Sequence, residues 1–226
     1  MKKVLLFDMS IDGHHLEYIH HIYERWCLSN GMLIISVPKG FLNVKDNFIW
    51  ETKDNVKFDF LDDIIVDRIK DQSKIVYAYK ATLLLKERCN MFRPNSIFLI
   101  SMIELFPFLP LFFVFRHEYI SGIIYKIYLY CWNKYSIIEK FFEIIRYGSM
   151  VMSSRIHRIF ILNDYPAARK LNMNWSTNKF CGLADPFQTK YDSNLQIDMG
   201  INNSFRTILH FGSLTKKIGR ASCRER

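Results

Sequence analysis

Four histidines lie close together near the N-terminus, in the stretch FDMSIDGHHLEYIHH (Phe7–His21). Imidazole side chains can bind a metal ion, act as general acids or bases, or hydrogen-bond to a substrate. Which of these applies depends on the face of the predicted helix that each ring occupies. The four residues are His14, His15, His20 and His21.

The helical phase of this stretch separates the histidines from one another. Asp12 is a suitable N-cap, so a helix is predicted to begin at Gly13 or His14. At about 100° per residue, an apolar stripe faces the core and His15 lies at its edge. The stripe consists of Leu16, Ile19, Tyr23 and Trp26, whereas His14, Glu17 and His21 lie towards solvent.

A metal site is not predicted here. A helical pair such as Glu17 with His20 or His21 needs further ligands from other segments, and the rest of the sequence supplies no obvious second set. Histidines that are solvated on a surface helix are the structural alternative.

The position of the loop MSIDGHH, at the end of the first predicted strand, indicates a ligand-binding role. In open α/β sheets, ligands bind outside the carboxyl ends of the strands, and a helix N-terminus offers free N–H groups to an anion. Gly13 lets a ligand approach the backbone, and His15 reaches the same crevice. We therefore predict that Gly13, His14 and His15 line a phosphosugar or nucleotide-sugar cleft. The loop lacks GxGxxG, which disfavours a dinucleotide cofactor.

The chain that positions this loop alternates short apolar runs with longer helical patterns, which predicts an α/β fold with a Rossmann-like parallel sheet. The predicted strands are Lys3–Phe7, Met32–Val37, Ser96–Met102, Tyr119–Tyr125 and Arg158–Leu162. The predicted helices are His14–Leu28, Lys74–Met91 and Ser136–Met152, and the segment Asn43–Asp71 is ambiguous.

The clearest amphipathic pattern belongs to the helix Ser136–Met152. Its apolar stripe consists of Ile137, Ile138, Phe141, Ile144, Ile145 and Gly148. The residues off the stripe are Glu139, Lys140, Glu143 and Arg146.

One apolar stretch, Ile97–Phe115, approaches the length needed to span a bilayer. Glu104 lies within it, and Pro107 and Pro110 interrupt its second half. A buried strand followed by a helix or loop is the favoured interpretation. A transmembrane helix and a segment that dips into a membrane surface are the alternatives.

The last nine residues, IGRASCRER, share no pattern with the preceding chain and resemble a translated sequencing adapter. We expect residues 218–226 to be non-native and the natural reading frame to continue past Lys217. The tail carries three arginines and one glutamate, so the formal net charge of +9 becomes +7 without it.

Apart from Cys223 in the tail, the chain has four cysteines. They are far apart in the sequence and show no CxxC spacing, which predicts buried thiols in a reducing compartment. They are Cys27, Cys89, Cys131 and Cys181.

Four segments together resemble glycosyltransferases of the GT-B fold, of the large retaining "group 1" type. KVLLFDMSIDGHHLEYI resembles their first βα unit, and RIHRIFILNDYPAARKL resembles the last strand and helix of their N-terminal domain. GLADPF is similar to the junction that leads into the linker, and RTILHFGSLTKK resembles the start of their C-terminal domain. The implied organisation is an acceptor-side domain at 1–187, a linker at 188–205 and the start of a donor-binding domain at 206–217.

The resemblance implies transfer of a sugar from a nucleotide-diphosphate donor to a glycan or lipid-linked acceptor, usually without a metal or other cofactor. Gly13 and His15 would lie beside the transferring sugar. Gly212, Ser213 and Lys216 would approach the diphosphate. The family's C-terminal acidic pair has no counterpart, so we expect this chain alone to be inactive.

Two further residues have local interpretations. His117 precedes a predicted strand and is a second candidate catalytic residue, with an exposed loop histidine as the alternative. Asp164 is predicted to cap a helix that begins at Tyr165 or Pro166.

Basic residues alternate with tyrosines and a tryptophan between Tyr119 and Arg158. This mixture suits contact with an anionic membrane, although a solvated face over buried aromatics would give the same pattern. We expect a cytoplasmic protein, peripheral at the inner face of the membrane, with no nucleic-acid partner. The alternative functions are a membrane-associated interaction protein without catalysis and another GT-B-like enzyme, such as a nucleotide-sugar epimerase.

Overall fold

The computed structural model describes residues 2–12, 14–27, 31–45, 50–113, 116–125, 127–130 and 132–184. All of them belong to one unit of the chain, Met1–Pro186. The predicted linker, the start of the second domain and the tail lie outside the described residues.

Seven parallel strands form one sheet in the order β3-β2-β1-β4-β5-β6-β7. This confirms the predicted Rossmann-like α/β fold. Most strand residues are β-branched, aromatic or leucine, as expected where helices cover a parallel sheet. They are β1 Lys3–Phe7, β2 Met32–Pro38, β3 Val56–Leu61, β4 Ser96–Leu99, β5 Tyr119–Ile124, β6 Ile156–Leu162 and β7 Phe180–Leu183.

In the described part of the chain, seven α-helices connect or flank these strands. They are α1 His15–Glu24, α2 Phe41–Val44, α3 Asp63–Lys70, α4 Lys74–Phe92, α5 Phe108–Phe113, α6 Ile137–Met152 and α7 Tyr165–Asn174. The predicted positions of α4 and α6 are confirmed, whereas α1 ends at Glu24 and not at the predicted Leu28. The ambiguous segment Asn43–Asp71 contains both β3 and α3. The change from strand to helix occurs at Asp62, whose side chain accepts the Ile64 N–H at 2.9 Å and so caps the start of α3.

The start of α1 differs from the prediction. Its N-cap is His14, which makes no side-chain capping bond, and not Asp12. The Asp12 carbonyl accepts the His15 N–H at 3.3 Å, so the backbone of this turn replaces the expected side-chain cap. His15 is therefore the first residue of the helix.

The apolar stretch Ile97–Phe115 is not one long helix. β4 leads into a short 3-10 helix, Ile103–Leu105, and then into α5. This confirms the favoured interpretation of a strand followed by a helix. Among the residues that the structure describes, no helix is both long enough and apolar enough to cross a membrane.

Two local predictions have opposite outcomes. Asp164 caps α7 as expected, since its Oδ1 accepts the Ala167 N–H at 2.9 Å. The prediction of a buried thiol is wrong for Cys27, which is exposed because it follows the end of α1. Cys89 is buried and Cys181 is half-buried, whereas Cys131 lies outside the described residues.

Candidate functional site

The strand order creates a crevice next to β1. Strands β2 and β3 lie on one side of β1 and strands β4 to β7 on the other, so the chain direction across the sheet reverses between β1 and β4. Ligands of doubly wound sheets bind at the carboxyl ends of strands at such a point. Asp8 follows β1 directly, and Glu104 lies in the 3-10 helix that follows β4.

Asp8 and His15 form a hydrogen-bonded pair at this crevice. The Asp8 Oδ2 atom lies 2.6 Å from Nδ1 of His15. The other carboxylate oxygen of Asp8, Oδ1, accepts the Ser10 N–H at 3.1 Å. The Asp8 side chain is only 2% exposed, whereas that of His15 is 21% exposed. The pair therefore consists of a buried carboxylate and a ring that remains open to a ligand. When the neutral ring donates its Nδ1 proton to Asp8, Nε2 becomes a hydrogen-bond acceptor.

Opposing effects set the pKa of each member of the pair. Burial lowers the pKa of His15, but the hydrogen bond to Asp8 and the negative charges of Asp8, Glu104 and Asp12 outweigh it and raise the pKa overall. Burial raises the pKa of Asp8. The contacts with His15 oppose this increase only in part, so the pKa of Asp8 stays above its ordinary value. His15 is thus a stronger base than an isolated histidine.

A second polar pair lies across the crevice. The Tyr77 hydroxyl, from the first turn of α4, donates to Oε2 of Glu104 at 3.0 Å. Burial and the charge of Glu104 raise the pKa of Tyr77, so the phenol keeps its proton and holds the carboxylate in place. Because Glu104 is exposed, its second oxygen can accept hydrogen bonds from a bound ligand.

Aromatic rings complete the wall around His15. Tyr125 follows β5, and its ring centroid lies 5.7 Å from that of His15 and 6.2 Å from that of Tyr18. Aromatic surfaces beside carboxylates offer both the apolar faces and the hydrogen-bond acceptors that a carbohydrate needs. Glu104 is the acceptor that a ligand can reach, whereas Asp8 is buried and bonded to His15 and Ser10. The two carboxylates give this wall of the crevice an acidic character.

The other histidines of the N-terminal cluster have separate surroundings. His14 is exposed, and its Nδ1 lies 2.8 Å from Oε2 of Glu17. His20 contacts Trp50 edge-on, with a centroid distance of 4.8 Å. Burial and the nearby Arg25 lower the pKa of His21. Only His15 joins the crevice, so the structure separates the adjacent predicted residues His14 and His15.

The remaining predicted site residues do not join this crevice. His117 is exposed and precedes β5, which places it at the amino edge of the sheet, opposite to His15. Next to it, Arg116 donates to both carboxylate oxygens of the buried Glu118. Gly13, Gly212, Ser213 and Lys216 lie outside the described residues.

Comparison of the sequence with protein-family profiles and with curated proteins finds no match. The site must therefore be interpreted from its own chemistry. Within the described ranges, no group of three or more His, Cys, Asp or Glu side chains is arranged to hold a metal ion.

Asp8, Tyr77 and Glu104 belong to the site but were not predicted as functional residues. Asp8 is a charged residue directly after an apolar strand, and this position in the sequence could have identified it as a candidate site residue. Tyr77 and Glu104 are 27 residues apart and meet only because α4 begins at the edge where β4 ends. No spacing rule in the sequence could have paired them.

Removal of the Asp8 charge is expected to lower the pKa of His15. In Asp8→Asn the burial of the ring persists, while the strongest nearby negative charge is gone. NMR titration of the His15 ring should show this decrease. Glu104→Gln should give a smaller decrease, because its contribution is less than that of Asp8. An unchanged His15 pKa in Asp8→Asn would contradict the coupling of the pair.

Proposed function

We propose that this chain is the acceptor-side part of a glycosyltransferase. The enzyme would move a sugar from a nucleotide-diphosphate donor to a glycan or lipid-linked acceptor. The observation that carries the proposal is the buried Asp8 carboxylate bound to His15 at the carboxyl edge of β1, where a doubly wound sheet binds its ligands. The four segments that resemble GT-B enzymes support the same assignment.

The pair can activate an acceptor hydroxyl. In the proposed step, the acceptor oxygen forms a bond to the anomeric carbon of the donor, while the bond from that carbon to the diphosphate oxygen breaks. The diphosphate leaves with the electron pair, and the hydroxyl proton moves to Nε2 of His15. Asp8 orients the ring through Nδ1 and stabilises the imidazolium that forms.

The acidic character of the crevice favours the acceptor over the donor phosphates. The exposed Glu104 can accept hydrogen bonds from the hydroxyl groups of an acceptor, and the negative charges of Asp8 and Glu104 repel a diphosphate. The diphosphate would therefore be bound by another part of the enzyme. Gly212, Ser213 and Lys216 are our candidates for it.

A transfer assay tests the proposal directly. A longer version of the protein that includes a complete donor-binding half is incubated with radiolabelled UDP-, GDP- and dTDP-hexoses and a membrane fraction. We expect label to move from one of these donors to the acceptor fraction. The 226-residue chain is the matched control and should transfer none. Transfer by the control chain would contradict the assignment of the donor site to the missing half.

The products separate the alternative functions. An epimerase would convert the nucleotide-sugar into its isomer with no label in the acceptor fraction. An interaction protein without catalysis would leave every donor unchanged. Either result would overturn the proposed glycosyl transfer.

A further inference from the structure

Helix α6 presents its apolar side chains to solvent. Its outer face carries seven exposed side chains along about 24 Å of helix. They are Ile137, Ile138, Phe141, Phe142, Ile144, Ile145 and Met152, with exposures of 87, 69, 61, 52, 49, 41 and 87%. We call this set the α6 apolar face. A contiguous exposed patch of this kind marks a surface that binds something.

Contacts with the rest of the protein fix this orientation. The inner side of α6 carries Tyr147, which is fully buried and meets the Tyr128 ring at 4.6 Å, and the buried Met150. Glu143 lies on the same side and pairs with Arg146. The Ser136–Glu139 capping box then fixes where the helix begins. The predicted stripe therefore exists but faces away from the core.

Basic and aromatic side chains border the α6 apolar face. Lys134 is exposed just before the helix, and Lys140 lies over the Trp132 ring at 5.4 Å. Tyr130, in the preceding 3-10 helix, is 67% exposed. Amphipathic rings and long cationic chains beside an apolar helix face are typical of helices that lie in the plane of a bilayer interface.

We propose that the α6 apolar face inserts into the surface of an anionic phospholipid bilayer. The cations at its border are complementary to anionic headgroups, whereas a second copy of this chain would bring a like-charged border against them. The aromatic residues before α6 would lie at headgroup depth, with their polar atoms towards water. The described helices rest on this surface without crossing it.

The docked helix lies beside the crevice. The charge of Lys74, at the start of α4, acts on Glu139 in the first turn of α6. The same turn of α4 carries Tyr77, which holds Glu104. A membrane at the α6 apolar face would therefore be close to the site where a lipid-linked acceptor would react. The docking itself does not depend on the proposed reaction.

Vesicle flotation tests this proposal with the purified 226-residue chain. One vesicle preparation contains phosphatidylcholine with about 30% phosphatidylglycerol, an anionic lipid that attracts basic protein surfaces. The other preparation is pure phosphatidylcholine. We expect strong binding to the anionic vesicles and at least about tenfold weaker binding to the neutral ones. The Phe141→Asp/Ile145→Asp variant should bind the anionic vesicles at least about tenfold more weakly.

The matched control is Ile64→Asp/Met173→Asp, which places the same charges at exposed positions on α3 and α7. It should bind vesicles like the unmodified chain. If circular dichroism shows that the α6 variant is unfolded, Ile138→Ser/Phe142→Ser replaces it, with the same expected decrease.

Three results would overturn the proposal. The first is equal binding of the α6 and control variants to the anionic vesicles, and the second is no binding by the unmodified chain. The third is a dimer in analytical ultracentrifugation that Phe141→Asp/Ile145→Asp dissociates, which would assign the face to a second copy. When the same α6 substitutions are made in a longer version of the protein that includes a donor-binding half, glycosyl transfer to a water-soluble acceptor should persist. Failure of docking and failure of the proposed function are therefore distinguishable.

Discussion

If the proposed glycosyl transfer is correct, replacement of His15 by alanine in a version that includes a donor-binding half is expected to reduce kcat by about 10²- to 10⁴-fold, the usual contribution of a general base. The variant removes the only ring of the N-terminal histidine cluster that the described structure places on the buried Asp8. Steady-state kinetics with saturating donor measure this loss. We expect KM for the acceptor to change less than kcat, because the proton transfer takes place in the transition state.

The control for this prediction is His157→Ala. His157 is exposed in β6, and its ring lies 6.1 Å from that of Tyr119, at the start of β5 and away from the crevice. Its replacement should leave kcat unchanged. If His15→Ala retained kcat within about twofold of the original, which is far below the usual effect of a general base, His15 would have no role in proton transfer.

The pH profile gives an independent reading of the same pair. A general base must be neutral, so kcat should fall as pH decreases below the pKa of His15, which lies above its ordinary value. Asp8→Asn lowers that pKa, so the limb of the profile should move to lower pH. The double variant Asp8→Asn/His15→Ala should reduce kcat little more than His15→Ala alone. The reason is that the effects of residues that act as a unit are not additive.

The sequence predicts five of the seven described strands, all except β3 and β7, because the signal of these five is local. Buried parallel strands are short apolar runs, and β1 was predicted with both of its ends. Helix ends were less certain, since α1 starts with a backbone turn at Asp12 where a side-chain cap was expected. The ambiguous β3 alternates polar and apolar residues at the edge of the sheet, where one side has no neighbouring strand.

The orientation of α6 shows the limit of periodicity. An apolar stripe indicates that a helix has two faces, but it does not state which face the protein covers. The inner face of α6 relies on Tyr147, which is large enough to fill the space above β5 to β7 and packs on Phe180 at 6.0 Å. The burial of one aromatic ring, Tyr147, thus fixes which face of α6 is covered, although the other face carries several isoleucines. Only tertiary contacts show this orientation.

The candidate site was predictable in part. His15 follows from its place after a strand and at a helix start, which are local features. Its partner Asp8 is seven residues away, and the pairing requires the bend between β1 and α1. The Tyr77–Glu104 pair requires α4 to run antiparallel to β4, so that the start of the helix lies beside the end of the strand.

Replacement of Gly122 by valine is expected to destabilise the fold by at least about 3 kcal/mol, the upper part of the usual range for overpacking. Gly122 lies in β5, between β4 and β6, and a Cβ atom there would be 2.7 Å from the Leu99 carbonyl oxygen. It would also be 2.9 Å from Cβ of Leu99 and 3.0 Å from Cβ of Met102. Since the nearest atom is backbone, β4 and β5 would have to separate. Urea unfolding followed by circular dichroism measures the loss.

Gly148→Ala is the matched control, with the opposite expected sign. Gly148 lies within α6, and an added Cβ would meet only the Trp175 ring, at an ordinary distance of 3.5 Å. Alanine should therefore raise the free energy of unfolding by about 0.5–1 kcal/mol through its higher helix propensity. Equal effects of the two substitutions would contradict the close approach of β4 and β5.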